Sequence, residues 1–204
     1  MKNKGLVIVL SGPSGSGKGT VLAQLLSQKQ NLHVSVSATT RKMRPGEQEG
    51  VNYYYMTEEQ FLKIREDDGF FESACFCGNY YGTPKQKVFE KINEGIDVIL
   101  EIEVQGAMKV KSEYPEGVFI FIAPPSMEEL RNRLVNRQTE TADVIEKRLE
   151  TAKWELSMAD RYNYIVVNDE VDKAADRLEA IIDAEKLRIE RNIDLLKERY
   201  EYDD

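Results

Sequence analysis

Histidine, cysteine and long apolar runs are all scarce in this chain of 204 residues. It has one histidine, His33, and two cysteines, Cys75 and Cys77, which stand two positions apart. We therefore expect no serine–histidine or cysteine–histidine catalytic pair, and a zinc site would lack its second pair of ligands. The two cysteines are interpreted as reduced thiols of a cytoplasmic protein. No run approaches the roughly twenty apolar residues of a membrane span.

Positive charge is also in deficit. The chain has 28 lysines and arginines against 36 acidic residues, a formal net charge of −8. This balance argues against nucleic acid or an anionic membrane as the main partner. The first four residues lead directly into an apolar run of five, so we expect no secretory signal. With 41% hydrophobic and 31% charged residues, the composition predicts one globular core, with or without inserted subdomains.

A glycine-rich segment is the most informative feature that is present. It has the sequence GPSGSGKGT, follows an apolar run over 6–10 and precedes a helical pattern that starts at Val21. Strand, glycine-rich turn and helix form the context of a phosphate-binding loop, in which backbone N–H groups and the helix dipole surround phosphate oxygens. We predict a nucleoside triphosphate site made of Gly12, Pro13, Ser14, Gly15, Ser16, Gly17, Lys18, Gly19 and Thr20.

One position of this loop departs from the usual pattern. Gly19 fills the place of the serine or threonine whose hydroxyl reaches Mg²⁺, and Thr20 stands one residue late. Because Mg²⁺ readily keeps several waters, we expect the metal to be held mainly by substrate phosphates and water.

Strand and helix patterns alternate along the chain, which predicts an α/β fold with a parallel sheet and helices on both faces. Turns and aromatic strands interrupt this alternation. A helical pattern follows from Ser126 to Ala159 and is interrupted near Gln138 and Thr139. We expect a core with the phosphate loop over 1–36, a small α+β insertion over 37–84, core again over 85–125, a helical lid over 126–157, and core with a C-terminal helix over 158–204.

Some local features are predicted in more detail. Residues 78–82 are expected to form a glycine-bounded turn, and a single charged helix is expected over 171–202, with Leu187 and Ile189 on its apolar side. Ser126 and Glu129 have the spacing of a capping box. Trp154 is assigned to packing.

Two arginines stand three apart in a polar loop after the second predicted strand. Arg41 and Arg44 follow Ser37, and guanidinium groups suit the oxygens of a phosphomonoester. The alternative is a solvated basic loop. Because Tyr53, Tyr81 and glycine turns lie nearby in sequence, we favour phosphate binding.

Two carboxylates are candidates for recognising a base. Glu72 and Glu103 could accept hydrogen bonds from the N–H donors of guanine, with hydroxyls such as those of Ser37 or Thr83 beside them. Spacing alone leaves open that Glu72 is an ordinary surface carboxylate. Further along, Arg133, Arg137 and Arg148 form either a salt-bridged helix face or a lid that brings positive charge to a phosphoryl group.

The order of these segments resembles the guanylate kinase family. The resemblance covers about residues 5–190 and includes GPSGSGKGT at 12–20, SVSATTRKMRPGE at 35–47, GNYYGT at 78–83, EIEVQG at 101–106, RQTE at 137–140 and VND at 167–169. Gln138 departs from the family's usual glycine, and Glu101 and Glu103 stand where aspartate is common.

The resemblance implies phosphorylation of GMP and dGMP by ATP with Mg²⁺, on a P-loop NTPase-type fold. It implies guanine contacts at Ser37, Glu72, Thr83 and Glu103, with Glu101 in the same GMP-binding block. It implies a phosphate grip of Arg41, Arg44, Tyr53 and Tyr81, catalytic roles for Lys18, Arg41, Arg137 and Arg148, and ATP contacts at Arg133 and Asn168.

Two other functions stay open from the residues alone. Another nucleoside monophosphate or small-molecule kinase could use the same fold, but the carboxylate pair suits guanine rather than adenine. A binding module of the kind found in scaffold proteins would typically lack a competent phosphate loop. The C-terminal helix could pack on its own core or on a partner subunit, so a homo-oligomer is also open.

Overall fold

A five-stranded parallel sheet forms the centre of the computed structural model, which describes residues 4–136 and 141–200. Its strands are β1 (Val7–Ser11), β2 (Leu32–Val34), β7 (Asp97–Glu101), β8 (Val118–Ala123) and β9 (Tyr164–Val167). Their order is β2-β7-β1-β8-β9, and every neighbouring pair is parallel. The predicted fold class is confirmed.

Helices cover both faces of this sheet because alternate residues of a strand point to opposite sides. In β1, Ile8 and Leu10 pack towards α1 (Lys18–Gln28) and α7 (Val171–Lys186), whereas Val7 and Val9 pack towards α3 (Lys85–Asn93) and α4 (Val104–Glu113). All five residues of β1 are buried. Burial on both faces explains why the strand reads as a continuous apolar run rather than an alternating one.

A second, four-stranded sheet follows β2 in the chain. Its strands are β3 (Ala38–Thr39), β4 (Tyr54–Tyr55), β5 (Phe70–Phe76) and β6 (Asn79–Pro84), in the order β4-β3-β6-β5, with α2 (Glu58–Glu66) packed on it. A capping box of Thr57 and Gln60 starts α2. Its small core contains Ala38, Phe61 and Phe70.

The prediction of a turn over 78–82 is wrong. These residues, apart from Gly78, lie in β6, and the turn is formed by Cys77 and Gly78 at φ of 49° and 73°. Two left-handed residues make a tight hairpin whose twist matches the flanking strands. Both cysteines are free and exposed.

Two helices, α5 (Met127–Asn136) and α6 (Ala142–Ser157), follow β8 and pack through Leu130, Leu134, Ile145 and Leu149. The interruption expected near 138–139 lies outside the described residues. Ser126 accepts a hydrogen bond from the Glu129 backbone N–H at 3.0 Å, but the Glu129 carboxylate binds Arg133 instead of completing the box. Trp154, expected to pack, is 44% exposed.

The single C-terminal helix predicted over 171–202 is also wrong. After the short 3₁₀ helix Ala159–Arg161 and β9, the chain forms α7 and then a separate α8 (Ile189–Tyr200). The buried carboxylate of Glu185 accepts hydrogen bonds from Tyr164 at 2.5 Å and from Arg191 of α8 at 3.2 Å. These bonds hold α8 beside the end of α7. Leu187, which lies between the two helices and was expected on an apolar helix face, is 80% exposed. Ile189 is exposed as well.

Across the described residues, no helix is both long and apolar enough to cross a membrane.

A buried aspartate of β7 joins the residue before β1 to the last residue of α7. Asp97 is 1% exposed; its Oδ1 accepts a hydrogen bond from the Leu6 backbone N–H at 3.0 Å, and its Oδ2 lies 2.5 Å from Nζ of Lys186. Because Asp97→Ala would leave the Leu6 backbone N–H without its acceptor, we expect it to lower the free energy of unfolding by about 1–3 kcal/mol.

Urea denaturation would measure this loss. The exposed Asp176 of α7 provides a matched control, and Asp176→Ala should change the free energy of unfolding by no more than about 0.5 kcal/mol. Equal effects of the two substitutions would contradict a special role for Asp97.

Candidate active site

Residues far apart in sequence meet where the parallel strands of the central sheet end. The glycine-rich loop follows β1, Glu101 and Glu103 lie at the end of β7 and just beyond it, and Asn168 follows β9. Open α/β sheets bind ligands outside the carboxyl ends of their strands. The topology therefore places several of the predicted residues at one edge.

The loop is held in a conformation that requires glycine. Gly12 has φ of +144°, and a Cβ there would lie 2.1 Å from the Ile122 carbonyl oxygen. Gly17 has φ of +87°, and its Cβ would lie 2.3 Å from Nδ2 of Asn168. The helix α1 begins at Lys18 with no side-chain cap and no acidic residue in its first turn. Its first backbone N–H groups are therefore suited to an anion.

Lys18 brings a positive charge into this loop. Its Nζ donates to the carbonyl oxygens of Gly12 at 2.5 Å and Pro13 at 3.2 Å. Burial lowers the pKa of Lys18 below its usual value, while the negative charges of Glu101, Glu155 and Glu103 oppose that effect. An ammonium group so placed, with little water around it, attracts a phosphate strongly.

A carboxylate lies near Gly19 of the loop. A Cβ on Gly19 would meet nothing within 4 Å except Oε1 of Glu101, at 3.8 Å. A carboxylate oxygen, the kind of hard donor that Mg²⁺ prefers, thus lies close to the position where phosphate loops usually carry a hydroxyl.

A cleft of about 460 Å³ opens next to the loop. Arg133 of α5 spans it, donating to the carbonyl oxygens of Ser16 at 3.3 Å and Asn168 at 3.0 Å. The amide of the buried Asn168 donates to the Ser16 carbonyl oxygen at 2.8 Å. The cleft is lined by Gly15, Gly17, Thr20, Arg133, Asn136, Asn168, Asp169 and Val171.

A second cluster lies on the four-stranded sheet, around Arg41. Its guanidinium forms a two-pronged ion pair with Glu47, at 3.0 and 2.7 Å. The guanidinium carbon lies 5.3 Å from the ring centre of Tyr53, and this ring lies 5.9 Å from that of Tyr81. Hydrogen bonding to Glu47 raises the pKa of Arg41 further above its usual value. The predicted trio of Arg41, Tyr53 and Tyr81 is brought together.

Two other predicted members of this cluster are less closely held. The backbone N–H of Arg44 donates to Glu47 at 2.7 Å, and its side chain is exposed. The Ser37 carbonyl oxygen accepts from the Tyr54 backbone N–H at 2.9 Å. Both residues border the loop that carries Arg41.

The carboxylate of Glu72 lies on the same sheet, beside Thr83. The Thr83 hydroxyl donates to Oε1 of Glu72 at 2.9 Å, and Thr83 is fully buried. The register between β5 and β6 shifts between Phe70 and Ser73, and such a bulge redirects a side chain. Burial raises the pKa of Glu72, against the lowering effect of the Thr83 hydroxyl.

Glu103 connects the two clusters. Its negative charge acts on Lys18 of the loop and also on Glu72 of the second sheet. Glu103 follows β7, the neighbour of the strand that leads into the loop, and it is the N-cap of α4, whose Gly106 lies against Glu72.

Two of the three predicted lid arginines lie within the described residues. Arg133 lies at the cleft, and Arg148 is half-buried on α6. Arg137 lies outside the described residues.

Three residues of the site were not predicted from the sequence. Glu47 and Tyr55 form a hydrogen-bonded group with Arg41, with the Tyr55 hydroxyl 2.8 Å from the Glu47 carboxylate. The buried Glu155 of α6 accepts from the Ser14 backbone N–H and faces Lys18. Glu47 shares a short loop with Arg41, which offered a signal for pairing, whereas nothing local connects Tyr55 or Glu155 to the site.

Comparison with known proteins gives a consistent result. The guanylate kinase family model matches residues 4–185. The chain is 53% identical over 195 residues to a guanylate kinase of Caldanaerobacter subterraneus subsp. tengcongensis, covering 96% of this chain and 95% of that protein. It is 55% identical over 193 residues to one of Halalkalibacterium halodurans, covering 95% of each. The crystal structure of guanylate kinase from Anaplasma phagocytophilum is similar with a TM-score of 0.73 and 37% identity, covering 100% of this chain and 99% of that one.

The Arg41–Glu47 pair gives a titration that can be measured. Hydrogen bonds from Arg41 and from the Arg44 backbone lower the pKa of Glu47 to about 2, from its ordinary 4.5. Because the pKa of Glu47 in the folded protein lies below its ordinary value, the Arg41–Glu47 pair stabilises the fold fully above pH 4.5. This stabilisation is lost as the pH falls through about 2. Arg41→Met should return the pKa of Glu47 towards its ordinary value.

Carboxyl ¹³C NMR across this pH range would follow the titration. Arg65→Met, which removes an arginine on α2 that lies over Tyr80, should leave the pKa of Glu47 low. An ordinary pKa for Glu47 in the unsubstituted protein would refute the pairing.

Proposed function

Because the chain belongs to the guanylate kinase family, we propose that its two clusters are the two halves of one phosphoryl-transfer site. Its activity is the ATP-dependent phosphorylation of GMP to GDP. ATP would bind at the phosphate loop, and GMP or dGMP on the second sheet. The observation that carries this arrangement is that β7, beside the strand that leads into the loop, continues through Glu103 into α4, whose Gly106 lies against Glu72.

Guanine would be recognised by Glu72. An ionised carboxylate accepts hydrogen bonds from the N1–H and N2–H donors of guanine, whereas adenine lacks a donor at N1. The Thr83 hydroxyl, 2.9 Å from Glu72, fixes the orientation of this carboxylate. Ser37 and Glu103 would provide further contacts to the base. A base that leaves buried polar groups of the site without hydrogen bonds binds more weakly. Glu72 and Thr83 therefore support strong discrimination against AMP.

The phosphate of GMP would bind at Arg41. The guanidinium N–H groups of Arg41 that now donate to Glu47 could donate equally well to the oxygens of a phosphomonoester. The Tyr53 and Tyr81 side chains border this guanidinium, and the exposed Arg44 adds a second positive charge. Glu47 would hold Arg41 in place until the nucleotide arrives.

On the other side, the triphosphate of ATP would lie along the residues 12–20, with adenine in the cleft beside Arg133 and Asn168. Lys18 would leave its contacts with the Gly12 and Pro13 carbonyl oxygens for the phosphates. Glu101 beside Gly19, with water and the phosphates, would hold Mg²⁺. When bound, Mg²⁺ neutralises phosphate charge.

Phosphoryl transfer requires positioning and charge stabilisation more than covalent chemistry. Lys18 and Arg148, with Arg137, would stabilise charge on the transferring group, and Arg41 would aim the attacking phosphate. The lid over 126–157 and the GMP-binding region over 37–84 would close to exclude water, which would otherwise hydrolyse ATP. A location in the cytoplasm and self-association stay predictions from the sequence.

Acceptor specificity and the role of Lys18 can be tested together. We expect ADP formation from ATP and Mg²⁺ with GMP, and little with AMP, CMP or UMP. Lys18→Met should lower kcat with GMP by about a hundredfold or more, because it removes a charge that stabilises the transferring group. A coupled assay of ADP formation measures both.

Lys173→Met, on an exposed lysine of α7 paired with Glu170, should keep the activity of the unsubstituted enzyme. Turnover with another monophosphate would overturn the guanine assignment. Folded protein that binds GMP without any turnover would instead favour a binding module.

Glu72→Gln tests recognition of the base. The amide keeps the size of the side chain but replaces an acceptor with a donor that faces guanine donors, so KM for GMP should rise about a hundredfold while KM for ATP changes little. Steady-state kinetics with each substrate varied would measure this. Glu66→Gln, on the exposed surface of α2, should change neither constant; an unchanged KM for GMP in Glu72→Gln would remove Glu72 from the site.

A further inference from the structure

The side chain of Glu72 lies against the first turn of α4. A Cβ built on Gly106 would be 3.4 Å from Cγ of Glu72 and 3.6 Å from its Oε2. Glu72 thus fills the space that a side chain at position 106 would occupy. The helix α4 therefore forms one wall of the place where this carboxylate sits.

Lys109 stands three residues further along the same helix. Residues three apart share one face of a helix, so Lys109 lies on the side of α4 that Glu72 contacts. Its Nζ lies 3.4 Å from the carbonyl oxygen of Ser73, the residue next to Glu72. The ammonium group is anchored at the sheet edge beside the carboxylate.

The charged state of Glu72 is opposed by its surroundings. Burial and the negative charge of Glu103, at the start of α4, both raise the pKa of Glu72. Three influences lower it: the Thr83 hydroxyl and the Thr83 backbone N–H from β6, and the positive charge of Lys109 from α4. Of these, Lys109 is the one that carries a charge.

The charged state matters for recognition. A protonated carboxyl group offers an O–H donor where guanine also presents donors, and only the ionised form accepts at both oxygens. A nearby positive charge favours the ionised form.

Resting on the guanine assignment of Glu72 above, we propose that Lys109 is a positioning residue for base recognition, whose ammonium group at the edge of β5 keeps Glu72 ionised for GMP. It acts through Glu72 and touches neither substrate. The role is specific to the GMP side of the site, so the ATP side should be insensitive to it.

The direction of the pH effect follows from this role. Without Lys109, the pKa of Glu72 rises further, so Glu72 is protonated at a higher pH and GMP binding weakens sooner as the pH falls. The GMP phosphate also titrates near pH 6, but it does so equally for every variant. The ratio of KM for GMP between variant and unsubstituted enzyme therefore isolates the contribution of the protein.

Lys109→Met is the primary variant. Because the lysine is exposed and screened by water, we expect a modest ratio, about threefold at about pH 5.5 and close to one at about pH 8, with kcat and KM for ATP unchanged. Lys109→Arg should restore a ratio near one at both pH values, and Lys109→Glu should exceed the effect of Lys109→Met. Added salt should shrink the ratio, since it screens exposed charges.

Lys91→Met provides the matched control, because Lys91 is a partly exposed lysine at the end of α3 that pairs with Glu94. It should give a ratio near one at every pH. A Lys109→Met ratio that is near one throughout, or that is the same at both pH values and unaffected by salt, would overturn the proposal.

The Glu72→Gln variant separates this proposal from the assignment it rests on. If Glu72→Gln raises KM for GMP but Lys109→Met does not, only the role of Lys109 fails. If Glu72→Gln has no effect, the guanine assignment itself fails. In the double variant Lys109→Met with Glu72→Gln, the pH dependence of the ratio, taken relative to Glu72→Gln alone, should disappear.

Discussion

The pairing of β1 between β7 and β8 is the constraint on which the site depends. It aligns the ends of these strands, so that the glycine loop after β1 and the carboxylates at and beyond the end of β7 project at one edge. The close approach of Gly12 to the Ile122 carbonyl oxygen, where no Cβ fits, fixes the loop against β8. All five β1 residues are buried, so disturbing this pairing would expose apolar surface to water and lower the stability of the fold.

Charge balance around that edge is as important as its shape. The chain is acidic overall, with a formal net charge of −8, yet it must bind two anionic nucleotides. Lys18 and Arg41 supply positive charge where the phosphates would lie, and they are held by backbone carbonyl oxygens and a carboxylate within the protein. These partners position the cations before substrate binds, and Coulombic attraction to phosphate then favours exchange of partners.

The two halves of the site use carboxylates for opposite purposes. Near Lys18, the negative charges of Glu101, Glu103 and Glu155 oppose the lowering of the Lys18 pKa by burial. On the second sheet, burial pushes Glu72 towards its neutral form, and Thr83 and Lys109 resist this. Glu103 acts on both, so a change at this residue would alter both halves at once.

Sequence alone determined the parallel sheet, the phosphate loop and the order of the family's segments, because apolar periodicity and glycine spacing are local properties of the chain. It also identified Arg41, Tyr53 and Tyr81 as one group. The break between α7 and α8 escaped it, since that break depends on Glu185 meeting Tyr164 and Arg191 in space. The strand over 79–84 likewise depends on pairing with β5 and β3. Only the tertiary structure decided that Glu155 lies near Lys18 and that Lys109 lies near Glu72, because folding brings together residues that are far apart in the sequence and show no shared periodic pattern.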